Sequence, residues 1–277
     1  MIAVRPLPPR AVVVGKGRVG RALASALERA GASPAVVSGR ETSVRPAGVV
    51  SAARNAGPGV DLLLAVRDDA LAGVVAALAE VASRLPADTV AIHHSGAQSA
   101  DVLAPLARLG LATGSCHPLQ TFAGSAADSG RFEGIAFAID GSGPGLAAAE
   151  LLALALGGHP FTISSGKRPL YHLAAALGAN GLTGLVAASR DALVGAGLTP
   201  GDALGALGPL LRSALEEALR LGPEAALTGP VARGDEATLE RHRRALLAWD
   251  AGRVALHEAL LREQRRLVHG GPGGTEC

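Results

Sequence analysis

Cysteine, lysine and aromatic residues are almost missing from this chain. Two cysteines in 277 residues, one of them terminal, cannot make the disulfide framework of a small secreted scaffold, so a reducing, cytoplasmic setting is expected. Four Phe, one Trp and one Tyr with a net charge of +2 leave little for base stacking or phosphate attraction, and no nucleic-acid partner is expected. Metal-ligand spacing is missing too: His242 and His257 stand apart, and neither H-x-x-x-H nor C-x-x-C occurs. Without a G-x-S-x-G elbow, serine-hydrolase chemistry has no foothold. Met1 to Pro9 has Arg5 and three prolines but no apolar stretch of the signal-peptide kind. No uninterrupted apolar run reaches membrane-spanning length, so no membrane association is expected.

What is present is organised around Arg10-Ala11-Val12-Val13-Val14-Gly15-Lys16-Gly17-Arg18-Val19-Gly20. A short apolar strand runs into G-x-G-x-x-G and then into an amphipathic helix, the context that separates a dinucleotide turn from a chance match among 37 glycines. Gly15 allows the tight turn, Gly17 lets a pyrophosphate approach, and Gly20 lets helix and strand pack closely. The helix start offers unpaired N–H groups and a positive dipole end. Lys16, Arg18, Val19, Val66 and Arg67 complete the expected cofactor-binding set. About twenty residues on, where an NAD site usually carries an acid, stand Ser38 and Arg40. A hydroxyl and a planar cation suit a 2′-phosphate, so NADP(H) is favoured over NAD(H), with Glu41 one residue away as the counter-indication.

Strand patterns follow near 33–40, 60–66, 89–92, 111–116, 135–139 and 159–163, alternating with helical stretches such as Ala70 to Leu85 and Gly145 to Leu156. This alternation predicts an α/β fold: a Rossmann-like, mostly parallel sheet with helices on both faces. Asp68 or Asp69 is the expected N-cap of the helix after the third strand. Past Gly166 only helical periodicity remains, with a long helix from Leu170 to about Gly195 bent by its glycines, and a loop over Leu227–Asp235. The predicted organisation is a leader (1–10), a dinucleotide-binding domain (11–165), an all-α substrate and dimerisation domain (166–268) and a flexible tail (269–277).

Ligands of such sheets bind beyond the carboxyl ends of the strands. His117, at one such end and stiffened by Pro118, is the candidate acid/base, on the expectation that it titrates near neutrality; a histidine satisfied in its loop is the alternative. Ser95, one strand over, bonds either a substrate carbonyl or its own turn. Of His93 and His94, adjacent on a strand end, one at most faces the site. Lysine occurs only at 16 and 167, asparagine only at 55 and 180, tyrosine only at 171. Lys167, Tyr171 and Asn180 thus concentrate rare polar types in one fourteen-residue stretch, which also holds His172. His172, Ala176 and Asn180 share a helix face. Gln120 and Tyr171 are expected near the substrate and Lys167 or Arg233 on an anionic group of it, the alternative for Arg233 being a Gly-Pro-shaped loop in which Asp235 caps the final helices.

Gly114 to Phe122, Lys167 to Asn180 and Leu227 to Asp235 resemble the family of Rossmann-like proteins whose helical half is the domain of unknown function DUF 2520. The resemblance spans Arg10 to about Leu267. It implies an NADP-dependent oxidoreductase with an N-terminal half like that of deazaflavin-dependent NADP oxidoreductases. Ser95 with His117-Pro118 is similar to the serine and histidine that attend substrate in prephenate dehydrogenases. In β-hydroxyacid dehydrogenases and ketopantoate reductases a catalytic lysine precedes the helical asparagine by four residues; here Asn180 fits, and Ala176 takes the lysine's place. Pyrroline-5-carboxylate reductases carry a late signature loop in a helical dimerisation domain, near where Thr228–Asp235 lies. Together these imply hydride transfer to or from a small keto, imino, hydroxy or amino acid in a cleft between domains, in a homodimer. The alternative is an NADP(H)-binding redox sensor or scaffold that catalyses nothing.

Overall fold

The computed structural model describes residues 10–37 and 45–270. Two compact units divide the chain, one through Asn180 and one from Gly181. The first unit holds a seven-stranded sheet: β1 (Ala11–Val14), β2 (Ala35–Val37), β3 (Asp61–Leu64), β4 (Val90–His93), β5 (Ala112–Pro118), β6 (Ala136–Gly141) and β7 (His159–Thr162). Their order is β2-β1-β3-β4-β5-β6-β7. All neighbours pair in parallel except β5 and β6, which run antiparallel with His117 opposite Ala138.

Period-two alternation sorts the strand residues between two cores. Val13, Leu63 and Ile92 face one core, with Leu23 and Leu27 of α1 (Arg18–Arg29) and three phenylalanines, Phe122, Phe132 and Phe137. Val12, Val14, Leu62 and Leu64 face the other. There they meet α2 (Pro46–Ala56) and α3 (Asp68–Ala79), with Leu106 of α4 (Ala104–Ala107) beyond. Strands buried on both faces read as continuous apolar runs, as β1 and β3 do. Helix α5 (Gly143–Ala155) covers β5 and β6, and Gly145 sits so close to Thr113 that a Cβ would lie 2.0 Å from its carbonyl oxygen.

Two local expectations are corrected. Helix α3 starts at Asp68 behind Arg67, with no side-chain cap; Asp69 instead pairs with Arg67 at 2.6 Å. Helix α2 had no counterpart in the sequence reading, because Pro46–Ala56 carries small residues with little apolar periodicity.

The first unit closes with α6 (Arg168–Ala176), whose Pro169 stands in the opening turn where its missing N–H does no harm. A π-turn over Leu177–Gly181 follows and leads into α7 (Leu182–Gly195). The expected bend at the glycines is therefore a change of hydrogen-bond register. The second unit is helical: α7, α8 (Pro200–Leu221), α9 (Pro223–Ala226), α10 (Gly229–Ala232), α11 (Glu236–Trp249) and α12 (Val254–Val268). Helix α10 corrects the expected loop over Leu227–Asp235, and Asp235 caps α11 by accepting from Thr238 N–H at 3.0 Å. Gly195 packs on the face of Trp249.

Candidate active site

β1 lies between β2 and β3, so the chain leaves it towards opposite sides: a topological switch point. The glycine turn sits there. Gly15 has φ +123°, and a Cβ on it would lie 2.3 Å from the Ala65 carbonyl oxygen. At Gly20 the same atom would lie 2.1 Å from the Gly15 carbonyl oxygen. Gly17 has open space around it, and as N-cap of α1 it supplies no side-chain cap to the helix amides. These features fit a dinucleotide pyrophosphate: two glycines demanded by the fold, and one left open in front of unpaired N–H groups. Lys16 and Arg18 are exposed beside it, and Val19 is partly buried against the core. Val66 packs on the second core, while Arg67 stays exposed at the head of α3. Ser38 and Arg40 lie outside the described residues.

A cavity of about 500 Å³ opens in the same unit beyond β5. His117, Gln120, Tyr171, His172, Ala176 and Asn180 line it, along with the π-turn residues Gly178 and Ala179. Bringing the strand end and the helix together sets His117 Nδ1 2.7 Å from the Tyr171 hydroxyl, with the rings edge to face. His172 is near, its ring centroid 6.3 Å from that of His117. Gly96 packs against both: a Cβ there would lie 2.7 Å from His117 Nε2 and 2.8 Å from His172 Cδ2.

The electrostatics correct one expectation. His117 does not titrate near neutrality: burial first, then the charge of Arg168, pushes its pKa down to about 3. The imidazole is neutral, because a protonated ring would lose water without gaining an anion. Burial also holds the Tyr171 phenol up at about 12, with Arg168 pulling the other way.

Arg168 is what sequence reasoning missed. It is wholly buried and donates from Nη2 to Ser115 Oγ and, at 3.3 Å, to the carbonyl of Ala138, the strand partner of His117. Its Nε lies 4.0 Å from Asp140 Oδ2, and Nε and Nη1 have no hydrogen-bond partner among the described residues. The guanidinium also stands 6.0 Å from the centre of the Tyr171 ring. One signal was available: Asp140 ends an apolar strand, and a carboxylate buried there asks for a cation.

Ser95, His93, His94, Lys167 and Arg233 are not among the residues that line the cavity, while Gln120 is. Ser95 is buried, its Oγ accepting from Gln98 N–H at 3.0 Å in a turn. His93 and His94 are both buried below the rim. His93 Nε2 donates to the Ser99 carbonyl at 3.0 Å, and His94 Nδ1 to that of Cys116 at 2.6 Å. Lys167 is exposed at the head of α6, and Gln120 accepts from Thr121 N–H at 2.8 Å. Arg233 closes α10 in the second unit. No group of three or more metal-ligating side chains occurs among the described residues.

Comparison with known proteins now separates the parts. Residues 4–118 match the Rossmann-like domain family, and residues 135–263 match DUF2520, a domain of unknown function. The chain is a Rossmann-like domain joined to a DUF2520 domain. The DUF2520 match begins before β6, so it takes in the last two strands as well as the helices. No curated protein sequence matches the chain. Among solved structures, a Bacteroides fragilis protein described as a candidate NADP oxidoreductase superposes with TM-score 0.71 at 22% identity, covering 94% of this chain and 98% of its own. A Thermotoga maritima protein gives 0.68 at 23%, with the same coverages. The reductive aminase of Aspergillus terreus, in complex with NADPH and ethyl levulinate, gives 0.61 at 18%, covering 97% and 96%. At these identities the likeness is one of fold.

Proposed function

We propose that this protein is an NADP(H)-dependent oxidoreductase acting on a small keto or imino acid, or on the corresponding hydroxy or amino acid in reverse. The observation that carries the reading is the convergence of His117, Tyr171, His172, Gln120 and Asn180 on one cavity, in a unit that also presents an open glycine turn. The fold neighbours support it, since one is described as an NADP oxidoreductase and another is a reductive aminase in complex with NADPH.

The Gly15–Gly20 turn would hold the pyrophosphate, with Lys16 and Arg18 beside it; Ser38 and Arg40 are the candidates for the 2′-phosphate. When bound, the reduced nicotinamide supplies two electrons and a hydrogen to the acceptor carbon. The chain's part is to seat the acceptor and provide the proton. Asn180 and Gln120 offer amide donors and acceptors to a carbonyl or carboxylate. Ala174, Ala175 and Ala176 add an apolar stretch of wall, keeping the acceptor small and partly out of water. Arg233 and Lys167 stay as candidate clamps for an anionic group.

Two titrations and a screen test this. NADPH should quench or shift protein fluorescence at lower concentration than NADH; the reverse order removes the argument from Ser38 and Arg40. Oxidation of NADPH should then follow addition of at least one small keto or imino acid. A protein that binds NADPH and reduces none of them is the non-catalytic sensor or scaffold instead.

A further inference from the structure

We infer that His117 and Tyr171 form a proton relay in which the imidazole stays neutral throughout, with Arg168 as the buried counter-charge for the tyrosine oxygen. The inference rests on the reductase reading above and assigns the route of its proton.

The geometry carries it. His117 Nδ1 and the Tyr171 hydroxyl are 2.7 Å apart, a full hydrogen bond between residues 54 positions apart in sequence. Arg168 anchors both partners. It grips Ser115 and Ala138, which flank His117 on β5 and oppose it on β6, and it stands three residues before Tyr171, on the same side of α6. Its charge lies near the Tyr171 ring, which turns the phenolic O–H away from the cation and towards Nδ1. With Nδ1 accepting, the ring's hydrogen is on Nε2. Nε2 packs close on Gly96, whose lack of a side chain gives the ring its place, and the ring lines the cavity.

In the reductive direction the acceptor oxygen, or imine nitrogen, takes the hydrogen from Nε2. That N–H bond breaks as Nδ1 gains the phenolic hydrogen and the Tyr171 O–H bond breaks. The imidazole ends in its other tautomer and the phenolate faces Arg168. After product leaves, Nδ1 returns its hydrogen to the phenolate as solvent delivers one to Nε2, so the ring never carries both. No imidazolium forms, in keeping with the burial and the cation that disfavour one. The titratable or charged groups around His117 are Arg168, His172, His94 and His93; around Tyr171 they are Arg168 and Cys116. None of them is an acid that would stabilise a charged ring.

Nitrogen NMR of ¹⁵N-histidine-labelled protein reads the resting state, with the His117 signals assigned by their loss in His117→Gln. The expected result is protonated Nε2 and bare Nδ1 between about pH 5 and 8. A ring protonated at Nδ1 alone, or an imidazolium in that range, overturns the relay. Tyr171→Phe keeps the ring packing and should lower turnover about 100-fold with NADPH affinity unchanged. Full turnover in that variant overturns the relay and leaves the reductase reading standing; a wild type that reduces nothing ends both. Tyr171 is the chain's one tyrosine, so ultraviolet absorbance follows its ionisation alone. Arg168→Gln should move that ionisation upward, and an unchanged titration removes Arg168 from the relay.

Discussion

A methyl group at position 96 would have to share space with two imidazoles, since the Cβ would come within 2.7 Å of His117 and 2.8 Å of His172. Gly96→Ala should therefore cost about 1–3 kcal/mol by forcing the rings aside. Turnover should fall at least ~10-fold, because the displaced atom is the one argued to carry the proton. Thermal unfolding and steady-state kinetics on the same variant check both halves; an active Gly96→Ala would show that Nε2 is not the reacting atom. At the amino ends of the strands, Asp61 begins β3 with its carboxyl buried, and burial raises its pKa from 3.8 to about 7. The folded chain then keeps a proton that the unfolded chain has lost, so this group's contribution is full below about pH 4 and disappears as pH rises through 7. The buried His93, His94 and His117 act with the opposite sign, their folded pKa values lying at about 4, 4 and 3, so that stability is lost as pH falls below the ordinary 6.5. Comparing Asp61→Asn with wild type isolates the aspartate. The variant should melt on the order of 5 °C higher at about pH 8 and with little difference at about pH 4; equal melting points at both would show that the carboxyl is solvated. Such residue-level facts were only partly legible. Tyr171 and Asn180 stood out as rare types and do line the cavity, with His172 between them, yet exposed Lys167 stood out equally. Arg168 did not, because arginine is the chain's default cation and nothing in spacing marks the one that is buried. His117 was visible as a strand-end histidine, but its depressed pKa depends on neighbours 50 residues away.

The glycine turn was the most legible element, since its constraint is local: strand, turn and helix are contiguous, and each glycine's role follows from backbone distances within that unit. It also separates folding from binding. Gly20→Ala drives a Cβ to 2.1 Å from a backbone oxygen and should destabilise the first unit by about 1–3 kcal/mol. Gly17→Ala meets nothing within 4 Å, at φ −67° and ψ −175°, angles open to any residue. It should melt with wild type and yet bind NADPH at least ~10-fold more weakly, the added methyl standing where the pyrophosphate approaches. Fluorescence titration alongside melting decides; unchanged affinity would place the nucleotide elsewhere. The helix from Arg168 to Gly195 was legible in extent and not in detail. Its glycines signalled weakness, but whether the backbone answers with a kink or a π-turn depends on packing that periodicity does not record. The π-turn falls in the cavity wall, where it carries Asn180 into the lining. Helix α2 escaped notice because an Ala-rich crossover needs little apolar patterning when its strands already fix its place.

At the scale of the molecule, one surface is hard to reconcile with a solitary chain in water. The continuous helical stretch Ser165–Gly195 has a mean hydropathy of 1.2 and no buried share in its most apolar window, long enough by composition to cross a membrane. Leu170, Leu173 and Leu177, at helical spacings of three and four, are 64%, 52% and 65% exposed. In α8, Leu210 and Leu219 are 64% and 79% exposed. Exposed apolar stripes of this length mark association surfaces. The opposite wall of α6 carries Tyr171 and His172 into the cavity, and the π-turn after it adds Asn180, a polar lining that a lipid-embedded helix would leave unsatisfied. A homodimer, expected from the resemblance above, would cover the stripe by a two-fold contact in which each helix lies on the other. Sedimentation should give twice the monomer mass at micromolar concentration, without detergent. Leu173→Glu, which replaces a stripe residue and no cavity-lining one, should shift the protein to monomer while leaving NADPH affinity within about twofold. A wild type that sediments as a monomer would remove the dimer, and one recovered only with membranes would hand the stripe to lipid after all.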